Sequence, residues 1–438
     1  MKYIEAINFL NDIKKYGSVP GLDSIKRLLE ALGNPQEKLR VIHIAGTNGK
    51  GSILAMLESV LSTSGYTTGR YHSPQLFDVR EAFQVNTQWI SEEDLLAQVE
   101  KVKEAARNIE EAGFPHPTSF EVETAIAFSY FCEKKVDVVL LETGMGGRLD
   151  ATNIIKKPLV EILASISMDH MQFLGDTLEA IATEKAGIIK EGTDVVLYPS
   201  GDTVYKVVEK EAKEKNARLT MANAEGIHIL SSDLSGQSFS YRTADGHYYS
   251  KITIPLLGEH QIYNAITVIE VLEHLKKYFC MGVFEIEEGL RRTYWPGRLE
   301  VIGHHPVMIR DGAHNEDAAL RLADFMEKNF TNKRIFYIMG VLKDKEYDKI
   351  LRTMSPYCND FYAVESDSPR ALKKELLAEA AAPYYENVFV VGSVEETIKT
   401  VMEKASSDDV ILIFGSLSFM KDIEEAKKHG TIPKGSEA

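Results

Sequence analysis

Cysteine is scarce. The three residues Cys132, Cys280 and Cys358 are far apart in 438 residues and odd in number, so neither a disulfide framework nor a metal-binding spacing follows. That scarcity fits a reducing, cytoplasmic setting. No apolar run is long enough to span a bilayer. The opening residues, MKYIEAINFLNDIKKYG, read as an amphipathic helix with charges throughout and lack the apolar core of a signal peptide. Positive charge is in deficit, with 50 Lys plus Arg against 65 Asp plus Glu and a net charge of −15. An acidic surface argues against nucleic acid or an anionic membrane as the main partner. It leaves room for a local basic pocket that takes a phosphorylated small molecule. Internal repeats and low-complexity segments are also missing.

What is present is the balance of an ordinary globular protein, 44% hydrophobic and 26% charged, in a chain long enough for two cores. Short β-branched runs alternate with helical patterns, which predicts an α/β fold with a mostly parallel sheet. In the first part the expected strands are residues 40–45, 67–72, 136–142 and 160–165, with helices at 50–63 and 120–133 among them. Residues 226–255 alternate polar and apolar and turn at Asp245–Gly246, a hairpin signal that predicts a small antiparallel appendage. A helix is expected at 261–278, after which Trp295–Pro296–Gly297 breaks the pattern. Strands at 307–310, 334–340, 361–364, 388–391 and 410–414 then restart the rhythm as a smaller, Rossmann-like domain. The division expected is 1–296 and 297–438, with residues 431–438 as a frayed tail.

The strand at 40–45 runs into Gly46-Thr47-Asn48-Gly49-Lys50-Gly51-Ser52 and then an apolar-faced helix. Strand, glycine-rich loop, lysine and helix make the layout of a phosphate cradle. Glycines let backbone N–H groups turn toward an anion, the helix N-terminus adds its dipole, and Lys50 adds a point charge. The spacing departs from the strict P-loop pattern, whose first glycine falls on Ile44; a tight strand-to-helix turn is the plainer reading. Independently, the buried run 136–141 ends in Glu142, where a parallel strand would offer a carboxylate to a Mg²⁺–phosphate site. The strand at 160–165 leads to Asp169–His170, and the strand at 67–72 ends in Ser73–Pro74. Alone, each is an ordinary loop residue. If the strands share one sheet, Lys50, Ser73, Glu142 and His170 meet at its carboxyl edge.

Longer stretches carry a resemblance: AGTNGKGS (45–52), SPQL (73–76), ISEEDL (90–95), TSFEVETAIAF (118–128), ETGMGGRLDATN (142–153), DHMQFLGDTLEAIATEKAGIIK (169–190), LGEHQIYNA (257–265), WPGRLE (295–300) and DGAHN (311–315). Over nearly its whole length the chain resembles the folylpolyglutamate and dihydrofolate synthases of the Mur ligase superfamily. The resemblance implies a P-loop-type ATP-binding domain and a C-terminal glutamate ligase domain. Thr47, Asn48, Gly49, Lys50, Gly51 and Ser52 would bind ATP phosphates, and Ser73, Glu142 and His170 would hold Mg²⁺. Lys185 would be carbamylated and so help hold a second Mg²⁺. Asn264, Arg298 and Asp311 would contact the nucleotide, with His314 completing a catalytic set of Lys50, Lys185 and His314. Folate or dihydropteroate and L-glutamate would be the substrates of a monomeric enzyme, joined through an acyl phosphate.

Two positions depart from the resemblance. Gln75 stands where the family loop commonly has His, and Ala82 where it has Arg, with Arg80 the nearest cation in sequence. Both flank the expected acceptor pocket, so a Mur-type amide ligase acting on a different carboxylate stays open beside the folate reading. A regulatory nucleotide-binding module without turnover is disfavoured, because it need not keep Lys50, Glu142, His170, Lys185 and His314 together.

Overall fold

A computed structural model describes residues 2–17 and 19–432. Its larger sheet has eight strands: β1 (Val41–Ala45), β2 (Thr68–Tyr71), β3 (Phe83–Val85), β4 (Gln88–Trp89), β5 (Val138–Glu142), β6 (Val160–Leu163), β7 (Asp194–Leu197) and β8 (Arg218–Met221). Their order is β4-β3-β2-β5-β1-β6-β7-β8. From β2 to β8 neighbours are parallel, with registers such as Val41↔Val139 and Ile42↔Val160; β3 and β4 form an antiparallel edge. The central strands VIHIA, VVLLE and VEIL are buried at every position, as strands covered on both faces must be.

Helices Tyr3–Asp12, Asp23–Ala31, Glu92–Glu111 and Ser119–Lys134 close one face over a core that includes Tyr71, Phe83, Phe128 and Phe131. Helices Leu178–Ala186 and Asp202–Glu214 close the other with Ile181, Val195, Val204 and Val208. The helix Ser119–Lys134 opens on a reciprocal cap, Thr118 N donating to Glu121 Oε2 at 2.7 Å while the Thr118 hydroxyl receives Glu121 N. Its register fixes which residues face the carboxyl edge of the sheet.

The appendage is a three-stranded sheet rather than a single hairpin: β9 (Ile227–Asp233), β10 (Gly236–Arg242) and β11 (Tyr248–Ile254), ordered β11-β10-β9. The turn at Asp245–Gly246 joins β10 to β11, with Gly246 at φ +89°. The extra strand β9, IHILSSD, is exposed over almost its whole length, so no buried alternation marked it in the sequence.

The second sheet holds β12 (Glu300–His304), β13 (Val307–Arg310), β14 (Ile335–Met339), β15 (Asp360–Ala363), β16 (Asn387–Val390) and β17 (Val410–Phe414), ordered β12-β13-β17-β14-β15-β16. Only β12 runs antiparallel to its neighbour. Two compact units result: one takes the chain up to Ile229, then Phe239–Thr253 and Tyr263–Thr293; the other takes Leu230–Ser238, Ile254–Ile262 and everything from Tyr294. The expected frayed tail needs correction at its start. Ile432 is fully buried, and the Thr431 hydroxyl donates to Glu395 Oε1 at 2.9 Å; residues 433–438 lie outside the described residues. No described helix is long and apolar enough to cross a membrane, and the three cysteines are free thiols.

Within the second unit the β12–β13 pair is locked by Arg310, the largest fully buried side chain. Its guanidinium grips Glu300 with two bonds of 2.7 and 3.0 Å and Glu424 with one of 2.8 Å. Removing one partner of such a group strands the others' charge, at about 3 kcal/mol or more. The two tryptophans fall one to each unit, Trp89 in the first and Trp295 in the second. In a Trp89→Phe background, Arg310→Ala should therefore lower the urea midpoint of the Trp295 fluorescence transition. An unmoved midpoint would show that the triad contributes nothing net to this unit.

Candidate functional site

β1 ends at Ala45, and the loop after it is laced to the segment beyond β6. Thr47 N and Asn48 N donate to Ser165 O at 2.7 and 3.2 Å. The Thr47 hydroxyl donates to Ser167 O at 3.0 Å and receives Ser167 N at 3.1 Å. Gly49 must be glycine twice over: its φ is +87°, and a Cβ there would lie 2.6 Å from Asn264 Oδ1. Asn264 thus braces the loop from below. The helix Lys50–Thr63 starts at once, with Gly51 and buried Ser52 in its first turn. The free N–H groups of that turn and the dipole behind them suit an anion.

Two lysines converge on this loop. Lys50 Nζ donates to Gly46 O at 3.1 Å and to Thr47 O at 3.2 Å, and lies 3.7 Å from Glu142 Oε1. Lys185 Nζ donates to the same Gly46 O at 2.9 Å. Lys185 is buried, not solvated as a helix lysine usually is. Burial first, and the neighbouring Lys50 charge second, push its pKa down to about 7, against the pull of Asp169 and Asp150. A substantial fraction of this amine is then neutral near pH 7, and so nucleophilic.

Glu142 opens a loop shaped by Asp150. One Asp150 oxygen accepts Gly144 N and Met145 N, both at 2.9 Å; the other accepts Thr152 N at 3.0 Å and the Thr152 hydroxyl at 2.6 Å. Thr152 is met in turn by His43 Nε2 at 2.8 Å, a ring that burial holds neutral with a pKa of about 3. Asn153 ties Arg148 O to Gly187 O at 3.0 and 3.1 Å. The loop therefore sits on the end of the Lys185 helix. Asp150 lies inside a stretch used for the resemblance, yet nothing in its spacing announced that it would shape the loop.

Strands β2, β5, β1 and β6 are contiguous and parallel, so the segments bearing Ser73, Glu142, Lys50 and His170 leave the sheet at one carboxyl edge. Lys50, Glu142 and Lys185 are brought into direct proximity. Ser73 follows β2 by two residues and is half-buried; His170, at φ +50°, precedes the short helix Met171–Leu174 and is exposed, its ring Nε2 4.0 Å from Asp169 Oδ2. Among the described residues no three His, Cys, Asp or Glu side chains gather to hold a metal by themselves. That donor set, one buried carboxylate and a hydroxyl at the same edge, fits Mg²⁺. Mg²⁺ keeps waters and shares phosphate oxygens rather than filling a protein cage.

The loop after β2 is also ordered. Glu81 is buried and receives Leu76 N and Phe77 N at 2.9 and 3.0 Å. Ala82 is fully buried against the apolar core. Arg80 does not serve as a spare cation there: its guanidinium closes on Asp78 with bonds of 3.1 and 3.1 Å and lies 3.7 Å from Glu92. Gln75 donates to Glu123 Oε2 at 3.4 Å.

In the second unit Asp311 is buried and accepts Leu299 N at 2.8 Å and Ala313 N at 2.7 Å; burial raises its pKa, and Arg298 opposes that. A Cβ on Gly312 would lie 2.3 Å from an Arg298 nitrogen. His314 Nδ1 donates to Gly312 O at 2.7 Å. Arg298, Asp311 and His314 thus form one cluster beyond the carboxyl end of β13.

The chain matches the Mur ligase middle domain over residues 44–272 and the Mur ligase glutamate ligase domain over residues 297–417. It is 37% identical over 431 residues to the dihydrofolate synthase/folylpolyglutamate synthase of Bacillus subtilis, covering 97% of this chain and 99% of that protein. The Mycobacterium tuberculosis folylpolyglutamate synthase, solved with ADP and AMPPCP, superimposes with a TM-score of 0.89 at 30% identity, over 98% of this chain and 99% of that one. An Escherichia coli relative solved with DHPP and ADP gives 0.86 at 28% identity, over 97% and 98%. The cradle, the two domain matches and the end-to-end likeness agree: the chain belongs to the Mur ligase family, among its dihydrofolate and folylpolyglutamate synthases.

Proposed function

We propose that the chain is an ATP-dependent carboxylate–amine ligase that adds L-glutamate to (tetrahydro)folate, and that it also converts dihydropteroate to dihydrofolate. What carries the reading is the convergence of Lys50 and Lys185 on the Gly46 carbonyl beside Glu142, in a chain 37% identical to a folate ligase. The nucleotide in two solved relatives, and the DHPP in one, support both substrate classes. Residues 1–296 act as the ATP-binding domain and 297–438 as the glutamate ligase domain of a cytoplasmic monomer.

A carboxylate oxygen of the acceptor attacks the γ-phosphorus of ATP, the bond to the ADP oxygen breaks, and an acyl phosphate forms. The α-amine of L-glutamate then attacks the acyl carbon, loses a proton and expels phosphate, leaving an amide. The protein's part is positioning and charge. Thr47 and Asn48 shape the loop through their bonds to Ser165, the N–H groups of Gly49, Gly51 and Ser52 orient the phosphates, and Lys50 offsets charge on the transferring group. Ser73, Glu142 and His170, with a carbamate on Lys185, are the residues that would hold two Mg²⁺ ions, which when bound neutralise phosphate charge. Asn264, Arg298 and Asp311 are assigned to the nucleotide, and His314 to the transferring phosphate. A second reading, the same ligase chemistry on a different carboxylate, is favoured by one observation: Ala82 is apolar and buried where the family has a cation, and Arg80 is engaged elsewhere. ADP release with folate plus glutamate against neither, and product mass with dihydropteroate and tetrahydrofolate, decide between them.

Lys50→Ala should keep the fold and lose ~10²-fold or more in ATP turnover, the usual loss for a transition-state charge contact; near-normal turnover in a folded variant would remove the cradle assignment. Glu142→Gln keeps shape but drops a hard anionic ligand, so its activity should need far more Mg²⁺ or fail. A Mg²⁺ titration that overlays the wild type would make Glu142 structural only. For Lys185, ¹³C-labelled bicarbonate should give a carbamate signal in the wild type that is missing from Lys185→Ala, which should be inactive and partly restored by acetate. A fully active Lys185→Ala would end the carbamate assignment.

A further inference from the structure

Outside the phosphate cradle, a second carboxyl sits at the same edge with little to do. Glu123 lies on the helix Ser119–Lys134, one turn beyond Phe120, whose ring fills the space above Gly144 next to Glu142. It is half-buried. Among the described residues its hydrogen-bond partner is Gln75 alone, at a long 3.4 Å, and it makes no ion pair. A carboxylate has about four acceptor positions, so most of its capacity is not met within the described chain. The arrangement suits a group that waits for a donor from outside the chain. Gln75, two residues past Ser73, holds one oxygen and leaves the other.

We propose that Glu123, oriented by Gln75, is the residue that selects the acceptor, by accepting a pair of adjacent N–H donors on a 2-amino-4-oxo heterocycle; this rests on the folate reading above. A carboxylate matches two parallel N–H donors as it matches a guanidinium, with geometric as well as energetic preference. An acceptor that presents ring N–H and amino groups on one edge satisfies Glu123; one without them leaves it unpaired. Selection therefore does not depend on the cation that Ala82 removed from this loop.

The ionisation of Glu123 gives the proposal a signature. Burial raises its pKa to about 7, while Lys14 and the Gln75 bond pull it down. The charged and titratable groups facing it are Lys14, from the turn Ile13–Tyr16, and Tyr71 of β2, whose hydroxyl is raised well above its usual range, in part by Glu123. Tyr71, raised so far, does not change charge near pH 7. The carboxylate is the better acceptor of N–H donors, so acceptor binding should strengthen as pH rises through about 7.

The test is steady-state kinetics on the full chain, varying dihydropteroate or tetrahydrofolate at saturating ATP and glutamate, between about pH 6 and 8.5. Glu123→Ala should raise the acceptor KM roughly 10-fold or more, the scale of a lost bond to a charged group, with kcat and the KM values for ATP and glutamate within about two-fold. In the wild type the acceptor KM should fall as pH rises through about 7, and in Glu123→Gln that KM should be flat across the range. If Glu123→Ala does not fold, Glu123→Gln and Gln75→Ala carry the same readouts. An unmoved acceptor KM, a loss confined to kcat, or a change in the glutamate KM alone overturns the proposal while the wild type stays active. A wild type that glutamylates neither acceptor overturns the folate reading itself, and this inference with it.

Discussion

Two ammonium groups reach for one carbonyl oxygen: Lys50 and Lys185 both donate to Gly46 O. Like charges held this close repel, the more so away from water, and Glu142 at 3.7 Å from Lys50 compensates only one of them. Two responses are open to the protein. One is to shed a proton: burial first, and the Lys50 charge second, bring Lys185 down to about 7. The other is to gather anions, and the helix Lys50–Thr63 points its free N–H groups into the same space. A polyphosphate answers the second need directly. A carbamate on Lys185 would reverse the sign of the charge there and answer the first. The rest of the first unit serves this convergence: the parallel strands set the edge, Asp150 holds the loop after Glu142, and Asn264 leaves room at position 49 only for glycine.

Much of this scaffold is legible in the sequence because of how parallel sheets are buried. Strands covered on both faces print as unbroken apolar runs, so VVLLE shows both the strand and the carboxylate that ends it. The helix Lys50–Thr63 is marked by the glycines before it. The failures have an equally physical cause. β9 is almost entirely exposed and carries no buried face to read. The helix Glu92–Glu111, absent from the expected elements, is a different case: it begins on a Ser91 cap whose hydroxyl accepts Asp94 N at 3.0 Å and buries Leu95, Val99, Val102, Ala106 and Ile109 at helical spacing, a signal that was there to read. Thr431 and Ile432 look like tail in composition, yet one caps Glu395 and the other is buried.

The site divides the same way. Lys50 and Glu142 follow from strand, loop and helix order alone. Lys185 does not: a lysine in EKAGI reads as a solvated helix residue until resemblance raises it, and only tertiary packing shows it buried. Asp150 has no spacing signature either, since its four donors come from backbone and from a hydroxyl two residues away. The loop after β2 is hardest to read. Arg80 is the obvious substitute for a missing cation by sequence distance, but a nearby aspartate within its own turn captures it first. Local pairing of this kind defeats arguments from proximity along the chain.

The proposed nucleotide side and the proposed acceptor side are thus built on different terms. The nucleotide side relies on backbone N–H groups, glycines and one helix end, which tolerate little change because a Cβ at position 46 or 49 would meet Ala164 or Asn264 at under 3 Å. The acceptor side relies on side chains, Gln75 and Glu123 among them, which can change one at a time without disturbing the sheet. Burial acts on both sides with opposite sign. It lowers the basic Lys185 and raises the acidic Glu123, and both end at about 7. A group at that point is charged or neutral according to what is bound beside it. Burial thus makes one basic and one acidic side chain at the same sheet edge responsive to what binds beside them.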